Sequence, residues 1–172
     1  GLTEAERKTT GIDDRVLPVA VVYDPELTLS LPVELSVSSG LNAIAHCVDS
    51  MWAPRADPIN FAFAVEGLRA LASGLRTIAA NPQDLDGRAS TLYGAYLAAV
   101  AFASAGSGMH HKICHVLGGT FDLPHAATHA VVLPYVTAFN ASAAPGAIAR
   151  IGEVLGVVDA LTGLEKLRRD LG

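Results

Sequence analysis

Six histidines carry most of the chemistry that this 172-residue sequence could perform, and five of them fall in one short stretch of its second half. His111 and His115 are four residues apart and share one face of a helix, and His46 follows Asn42 at the same spacing. His125 stands directly after a proline, at the start of a further segment. Histidines from three helices can therefore converge on one point, and neutral imidazole is a ligand that suits zinc or iron.

Each histidine taken singly has a simpler explanation, a core imidazole whose hydrogen bonds are satisfied. The whole set is harder to explain in this way, because burying several imidazoles costs free energy unless each has a partner. Cys47 and Cys114 stand beside histidines, so a mixed cysteine–histidine zinc site is conceivable. We favour core thiols, since Cys47 points about 100° away from His46 on a helix and small buried thiols are common in cores.

The elements that must position these side chains are mostly helices. The apolar, β-branched run at residues 16–23 predicts one short N-terminal strand, which Asp24 and Pro25 end. Prolines, acidic N-cap residues and glycines then divide the remainder of the chain. The predicted helices cover residues 32–52, 58–80, 84–105, 109–117, 124–140, 144–155 and 158–171. We therefore predict a mainly α fold, a helical bundle with one short N-terminal strand segment.

Composition excludes several classes of function. Hydrophobic residues make up 51% of the chain and charged residues 17%, which predicts a sizeable core. The net charge of −5 and the scattered basic residues argue against a nucleic-acid partner. The most apolar stretch, residues 89–103, is too short and too polar for a membrane span. With two cysteines and a polar start, we expect a cytoplasmic protein with reduced thiols and no membrane partner.

Three segments of the sequence match a known pattern: DPELTLSLP at 24–32, SGLNAIAH at 39–46 and GMHHKICHVLGGTFDLPHAATHAVVLP at 108–134. Through them the chain resembles the iron-containing (group III) alcohol dehydrogenase family along nearly its whole length. The resemblance implies a helical domain like the C-terminal domain of dehydroquinate synthase, preceded in the family by a dinucleotide-binding domain. Residues 1–31 then correspond to a strand and loop linking from that domain, and residues 32–172 to a helical catalytic domain that continues past residue 172.

The resemblance also assigns roles to individual residues. The family holds its metal with an Asp and a His in a D-x-x-x-H pattern and with two later histidines. These four positions are Asn42, His46, His111 and His125 in this sequence. The family places a further histidine, here His115, beside the nicotinamide and the substrate. The resemblance also assigns cofactor contacts to Lys8, Leu27 and Leu31, in segments that the family brings to the nicotinamide nucleotide.

Asn42 departs from the family pattern. An amide has the shape of a carboxylate but no charge, and it is a poorer ligand for a divalent transition metal. The maleylacetate reductase branch of the family, which the third segment resembles most, departs in the same way. The resemblance therefore implies a metal-independent reduction of maleylacetate to 3-oxoadipate by NADH or NADPH, during the breakdown of aromatic compounds. His46, His111, His115 and His125 would be its catalytic residues, its partner a small dicarboxylate substrate, and its assembly a homodimer.

Two other functional hypotheses are compatible with the sequence alone. In the first, the chain belongs to an iron- or zinc-dependent alcohol dehydrogenase, and Asn42 or a water molecule completes the coordination. In the second, it is a non-catalytic helical piece that binds a partner. The lack of a glycine-rich nucleotide-binding segment in the 172 residues favours this last reading.

Overall fold

The structure is a computed structural model that describes residues 2–4 and 7–9 as backbone, residues 13 and 15, and residues 18–172. Two short strands, β1 (Leu2–Glu4) and β2 (Arg7–Thr9), pair antiparallel, and a 3-10 turn covers Glu26–Thr28. The rest of the described chain is helical: α1 (Val33–Ser50), α2 (Pro58–Ala80), α3 (Leu85–Ala105), α4 (Met109–Phe121), α5 (His125–Asn140), α6 (Pro145–Leu155) and α7 (Ala160–Leu171). The mainly α prediction is confirmed.

The strand predicted at residues 16–23 does not form over residues 18–23, which lie within the described part of the chain. Val19 and Val22 in this run are almost fully exposed, at 105% and 91%. A β-branched run becomes a strand only where a neighbouring strand can take its backbone hydrogen bonds. Neither β1 nor β2 pairs with this segment, so no neighbouring strand stabilises it in the extended form.

Helix ends follow the local sequence signals in most places. Asp57 caps α2 by accepting hydrogen bonds from the backbone N–H groups of Ile59 (2.7 Å) and Asn60 (2.9 Å), and the Asn60 side chain completes the capping box. α4 departs from the prediction, since it continues through two glycines to Phe121 instead of ending at residue 117. Asp122, in the left-handed region with φ 50°, ends the helix instead.

The core lies around α1, which contacts α2, α3, α4 and α5. α2 and α3 pack closely because small residues face each other across their interface. A Cβ atom on Gly94 would lie 2.9 Å from the backbone nitrogen of Leu71, and one on Gly74 would lie 2.8 Å from the carbonyl oxygen of Gly87. This packing holds α1, and with it Asn42 and His46, in a fixed place among the other helices.

Within the described residues, no single helix is both long and apolar enough to cross a membrane. α3 and α4 reach that length and composition only together, and they are bent by 100° at the break between them.

Candidate active site

All six histidines come together in one group, which we call the histidine cluster: His46 on α1, His110, His111 and His115 on α4, and His125 and His129 on α5. Neighbouring rings lie close, and Phe102 on α3 packs against His46 and His111 with ring centroids 4.4 and 4.3 Å away. The distances between ring centroids are 4.4 Å for His46–His111, 5.1 Å for His110–His111, 4.8 Å for His111–His129, 4.4 Å for His125–His129, and 6.3 Å for both His111–His115 and His115–His125.

The cluster runs from the surface into the interior. His115 and His125 are exposed and His46 is partly buried. His110 and His129 are completely buried, and His111 is 2% exposed. A small polar molecule could therefore reach the cluster from the edge that His115 and His125 form, and meet increasingly dehydrated imidazoles beyond it.

The predicted residues are only partly arranged as one set. The rings of His46 and His111 are in contact, and His111 lies near His115. His125 packs against His129, with ring centroids 4.4 Å apart, and its ring lies 6.3 Å from that of His115. Helices α1, α4 and α5 thus converge as the spacing indicates. The sequence did not identify His129, which contacts both His111 and His125.

Three site residues were missed at the sequence level: Asp49, His110 and His129. His129 occupies the middle of the cluster, and its Nδ1 shares a 2.9 Å hydrogen bond with Nε2 of His110. Asp49 had a usable signal, because it follows Asn42 by seven residues and His46 by three, which places all three on one face of α1. His129 similarly follows His125 by four residues on α5.

Asp49 holds the orientation of His111. The Nδ1–H of His111 donates to Oδ2 of the fully buried Asp49 at 2.8 Å, and the backbone N–H of Gly108 donates to the same oxygen at 2.9 Å. Burial by itself would raise the pKa of the Asp49 carboxyl, but these hydrogen bonds and the nearby imidazoles keep that pKa below its usual value. An ionised Asp49 fixes Nε2 as the nitrogen that His111 offers to the cluster.

Three of the histidines are held in the neutral form. Burial, reinforced by the neighbouring His111, lowers the pKa of His46 and of His129 to about 3 and that of His110 to about 4. At neutral pH these rings each offer one N–H donor and one acceptor nitrogen and carry no charge.

The histidine cluster and the neighbouring Asn42 contain buried polar atoms that make no hydrogen bond to the residues that the structure describes. They are Asn42 Oδ1, His46 Nδ1, His110 Nδ1, His111 Nε2 and His129 Nε2. An unsatisfied buried polar atom costs about 1–3 kcal/mol, so a group of them in one place is a mark of a site that receives a ligand.

The family positions for iron lack, in this chain, the carboxylate that the family pattern contains. Asn42 contributes a neutral amide, and His46, His111 and His125 contribute imidazoles, so none of the four supplies a negative charge. Among the described residues, three donor atoms lie within 4.8 Å of one another at His110, Cys114 and His129 instead.

The residues predicted to contact a nicotinamide nucleotide do not all belong to the histidine cluster. Leu27 is 78% exposed in the 3-10 turn, and Leu31 lines a cavity of about 160 Å³ whose walls contain no histidine. The Leu31 carbonyl oxygen accepts a hydrogen bond from the buried Arg88 at 3.2 Å. The side chain of Lys8 lies outside the part of the chain that the structure describes. His115 is the predicted cofactor-contacting residue that belongs to the histidine cluster.

Relatives share both the sequence and the fold. The chain is 51% identical to the maleylacetate reductase of Sphingobium indicum over all of its 172 residues, which are 49% of that protein. An iron-containing alcohol dehydrogenase from Corynebacterium glutamicum superimposes with a TM-score of 0.95 at 65% identity, over 99% of this chain and 48% of that one. The maleylacetate reductase of Rhizobium sp. strain MTP-10005 gives a TM-score of 0.93 at 45% identity, over 99% of this chain and 48% of its own.

The chain thus spans about half the length of the curated relatives that it matches. The family model for the C-terminal part of the Fe-containing alcohol dehydrogenases matches residues 36–171, which include α2 to α7 and all but the first turn of α1. The whole histidine cluster lies within this match. The chain belongs to the Fe-containing alcohol dehydrogenase family.

Proposed function

We propose that this chain carries the substrate-binding and proton-transferring part of a metal-independent reductase, which uses NADH or NADPH to reduce maleylacetate to 3-oxoadipate. The observation that carries the proposal is the group of buried, unsatisfied polar atoms in a cluster where Asn42 replaces the family's carboxylate. The relatives named maleylacetate reductase, from Sphingobium indicum and Burkholderia cepacia, give the substrate to test first.

The charge of the site suits an anionic substrate. A carboxylate at position 42 would repel a dicarboxylate, whereas an amide does not. The neutral rings of His46 and His129 can donate N–H groups to a substrate carboxylate or ketone oxygen without carrying counterions of their own. These hydrogen bonds form in a partly dehydrated place, where they are stronger than in water.

The reaction needs a hydride, a proton and stabilisation of an enolate. A bound reduced nicotinamide would supply a hydride to the carbon β to the ketone, and the double bond would shift toward the ketone to give an enolate with its negative charge on the ketone oxygen. The N–H groups of the neutral His46 and His129 rings would stabilise that oxygen. His111 would donate to it from Nε2 only as an imidazolium ion paired with Asp49, because Asp49 already takes the Nδ1–H. A proton then adds to the α carbon. His115 and His125 are exposed, so water can reprotonate them after the transfer.

The proposal is tested by joining the chain to the preceding half of the Sphingobium indicum maleylacetate reductase and following NADH and NADPH oxidation. We expect the chimera to reduce maleylacetate in the presence of a strong chelator. His115→Gln should abolish most of this activity, while Lys166→Ala, a change of an exposed residue on α7, should leave it unchanged. A chimera that folds but does not oxidise either nucleotide with maleylacetate would refute the substrate assignment.

A second function has one observation in its favour. The structurally similar protein from Corynebacterium glutamicum, 65% identical to this chain, is named an iron-containing alcohol dehydrogenase. Under this alternative the chimera would oxidise a primary alcohol only after loading with Fe²⁺ or Zn²⁺. Activity in the presence of a strong chelator separates the two functions, because the first predicts full turnover after metal is removed and the second predicts none.

A further inference from the structure

A second group of donor atoms lies behind the predicted site and uses none of the family's metal positions. It consists of His110 and Cys114, four residues apart on one face of α4, and His129 on α5. One ligand atom from each residue lies within 4.8 Å of the other two. All three side chains are buried: His110 and His129 are 0% exposed and Cys114 is 1% exposed.

The distances in this group resemble those of a zinc site. With Zn–N bonds of about 2.05 Å and Zn–S bonds of about 2.3 Å, tetrahedral coordination places two nitrogens about 3.3 Å apart and a nitrogen and sulfur about 3.6 Å apart. Here Nε2 of His110 lies 2.9 Å from Nδ1 of His129 and 3.7 Å from Sγ of Cys114. Small side-chain rotations would therefore bring the donors to coordination distance.

The chemistry of the group also suits a borderline or soft cation. A cysteine thiolate supplies the negative charge that Asn42 no longer supplies at the family position. Two imidazoles and a thiolate form three protein ligands, and a water molecule can take the fourth position, as in other zinc sites with two kinds of ligand. Two ligands at i and i+4 on one helix are a common way to present a metal with neighbouring donors.

We propose that His110, Cys114 and His129 form a binding site for Zn²⁺ that is distinct from the iron position of the family. Without the metal, the same atoms satisfy one another through the hydrogen bond between the two histidines and the thiol contact to His110. The ion would reach the site from the exposed edge of the cluster, since the ring of the exposed His125 contacts that of His129 at 4.4 Å. This proposal does not depend on which substrate the protein reduces.

The test uses the 172-residue chain joined to the preceding half of the Sphingobium indicum protein, under reducing conditions, titrated with Zn²⁺ and, as a spectroscopic probe, with Co²⁺. We expect one ion to bind per chain, and Co²⁺ to show the intense near-ultraviolet band of a thiolate ligand. Cys114→Ser should remove that band and raise the Kd for Zn²⁺ by about 100-fold, the upper end of the loss caused by an outer-shell partner. His129→Ala should weaken binding to a similar extent.

Cys47→Ser is the matched control, because Cys47 is the other buried cysteine and lies beside His46 rather than within the group. It should keep both the band and the affinity, and circular dichroism should show that both serine variants fold. The proposal is overturned if the chain binds no Zn²⁺, or if Cys114→Ser binds as the unchanged chain does. It is also overturned if binding is lost in His46→Ala but kept in Cys114→Ser, because the ion then occupies the family position.

Discussion

At position 42 an amide stands where the resemblance to the family implies a carboxylate, and we infer that this exchange alters which ligands the cluster can hold. Asn42 Oδ1 is buried and makes no hydrogen bond to the described residues, which lowers the stability of the fold unless a ligand or water satisfies it. His111 shows the opposite arrangement, because Asp49 satisfies its Nδ1 and leaves Nε2 for a ligand. The role of each residue therefore depends on which of its polar atoms are already hydrogen-bonded and which are left for a ligand.

Asn42→Asp tests the role of the amide. The variant should gain affinity for Fe²⁺ or Zn²⁺, because a carboxylate now joins the imidazoles, and the chimera should reduce maleylacetate more slowly. Metal analysis and nucleotide oxidation measure the two effects. Asn81→Asp adds the same charge at an exposed position outside the cluster and should change neither. If Asn42→Asp changes neither metal content nor turnover, position 42 is not the determinant that we infer.

Asp49→Asn tests whether Asp49 positions His111. An asparagine can still fill the space, but it removes the charge that fixes the His111 ring, so we expect kcat of the chimera to fall by about 100-fold with little change in KM. Unchanged helicity, measured by circular dichroism, separates this effect from unfolding. Recovery of part of kcat in Asp49→Glu would support positioning by charge, whereas full activity in Asp49→Asn would contradict it.

At the scale of elements, the junction between α3 and α4 decides whether the cluster can assemble. The backbone turns at Gly106, with φ 87°, and the N–H of Gly108 then binds Asp49 across from α1. Gly108 has no room for a side chain, because an added Cβ would meet the Asp49 carboxylate, with its Cγ atom 2.8 Å away. The start of α4 and the last turn of α1 are therefore fixed together at one carboxylate.

Gly108→Ala should displace Asp49, release His111 and lower both the melting temperature and the activity of the chimera. The expected destabilisation is about 1–3 kcal/mol, the usual cost of forcing extra atoms into a packed interior. Gly119→Ala is the control within the same helix, since nothing lies within 4 Å of its added Cβ. That change should be neutral or stabilise the protein by up to about 1 kcal/mol. Equal melting temperatures for the two variants would show that the junction tolerates a side chain.

At the scale of the whole molecule, folding keeps several imidazoles neutral in the interior. Burial lowers the pKa of His46 and His129 to about 3 and that of His110 to about 4, whereas a histidine in the unfolded chain titrates near 6.5. Between these values the unfolded chain binds more protons than the folded one. Stability is thus fully present above about pH 6.5 and is lost as the pH falls toward the folded-state values.

Thermal unfolding at about pH 7 and at about pH 4.5 tests this dependence. We expect a clearly lower melting temperature at the acidic pH, and a smaller difference between the two in His110→Gln, which removes one of the neutral imidazoles. The lowered pKa of Asp49 adds a loss of the same sign at still lower pH. Equal melting temperatures at both pH values would mean that these rings are not held neutral.

The sequence by itself determined the helices and their chemistry, because caps, prolines and the spacing of apolar residues act within a few residues of one another. It located α1 to α7 closely, and it selected His46, His111, His115 and His125 through a pattern of types and spacing. It also marked Asn42, since a change of residue type at a motif position is visible without any structure.

Only the tertiary structure decided what lies between those elements. The run at residues 16–23 was predicted as a strand, but strand formation requires a partner that propensity cannot supply. The spacing on α1 and α5 pointed to Asp49 and His129, but their partners became known only when α1, α4 and α5 were placed against one another, because the hydrogen bonds join residues 62 and 19 positions apart. The same packing places Cys114, which we predicted to be a core thiol, beside His110 and His129 as the third donor of that group. Long-range contacts of this kind depend on how the helices pack. That packing is determined by residues along the whole chain, so no short segment of sequence predicts it.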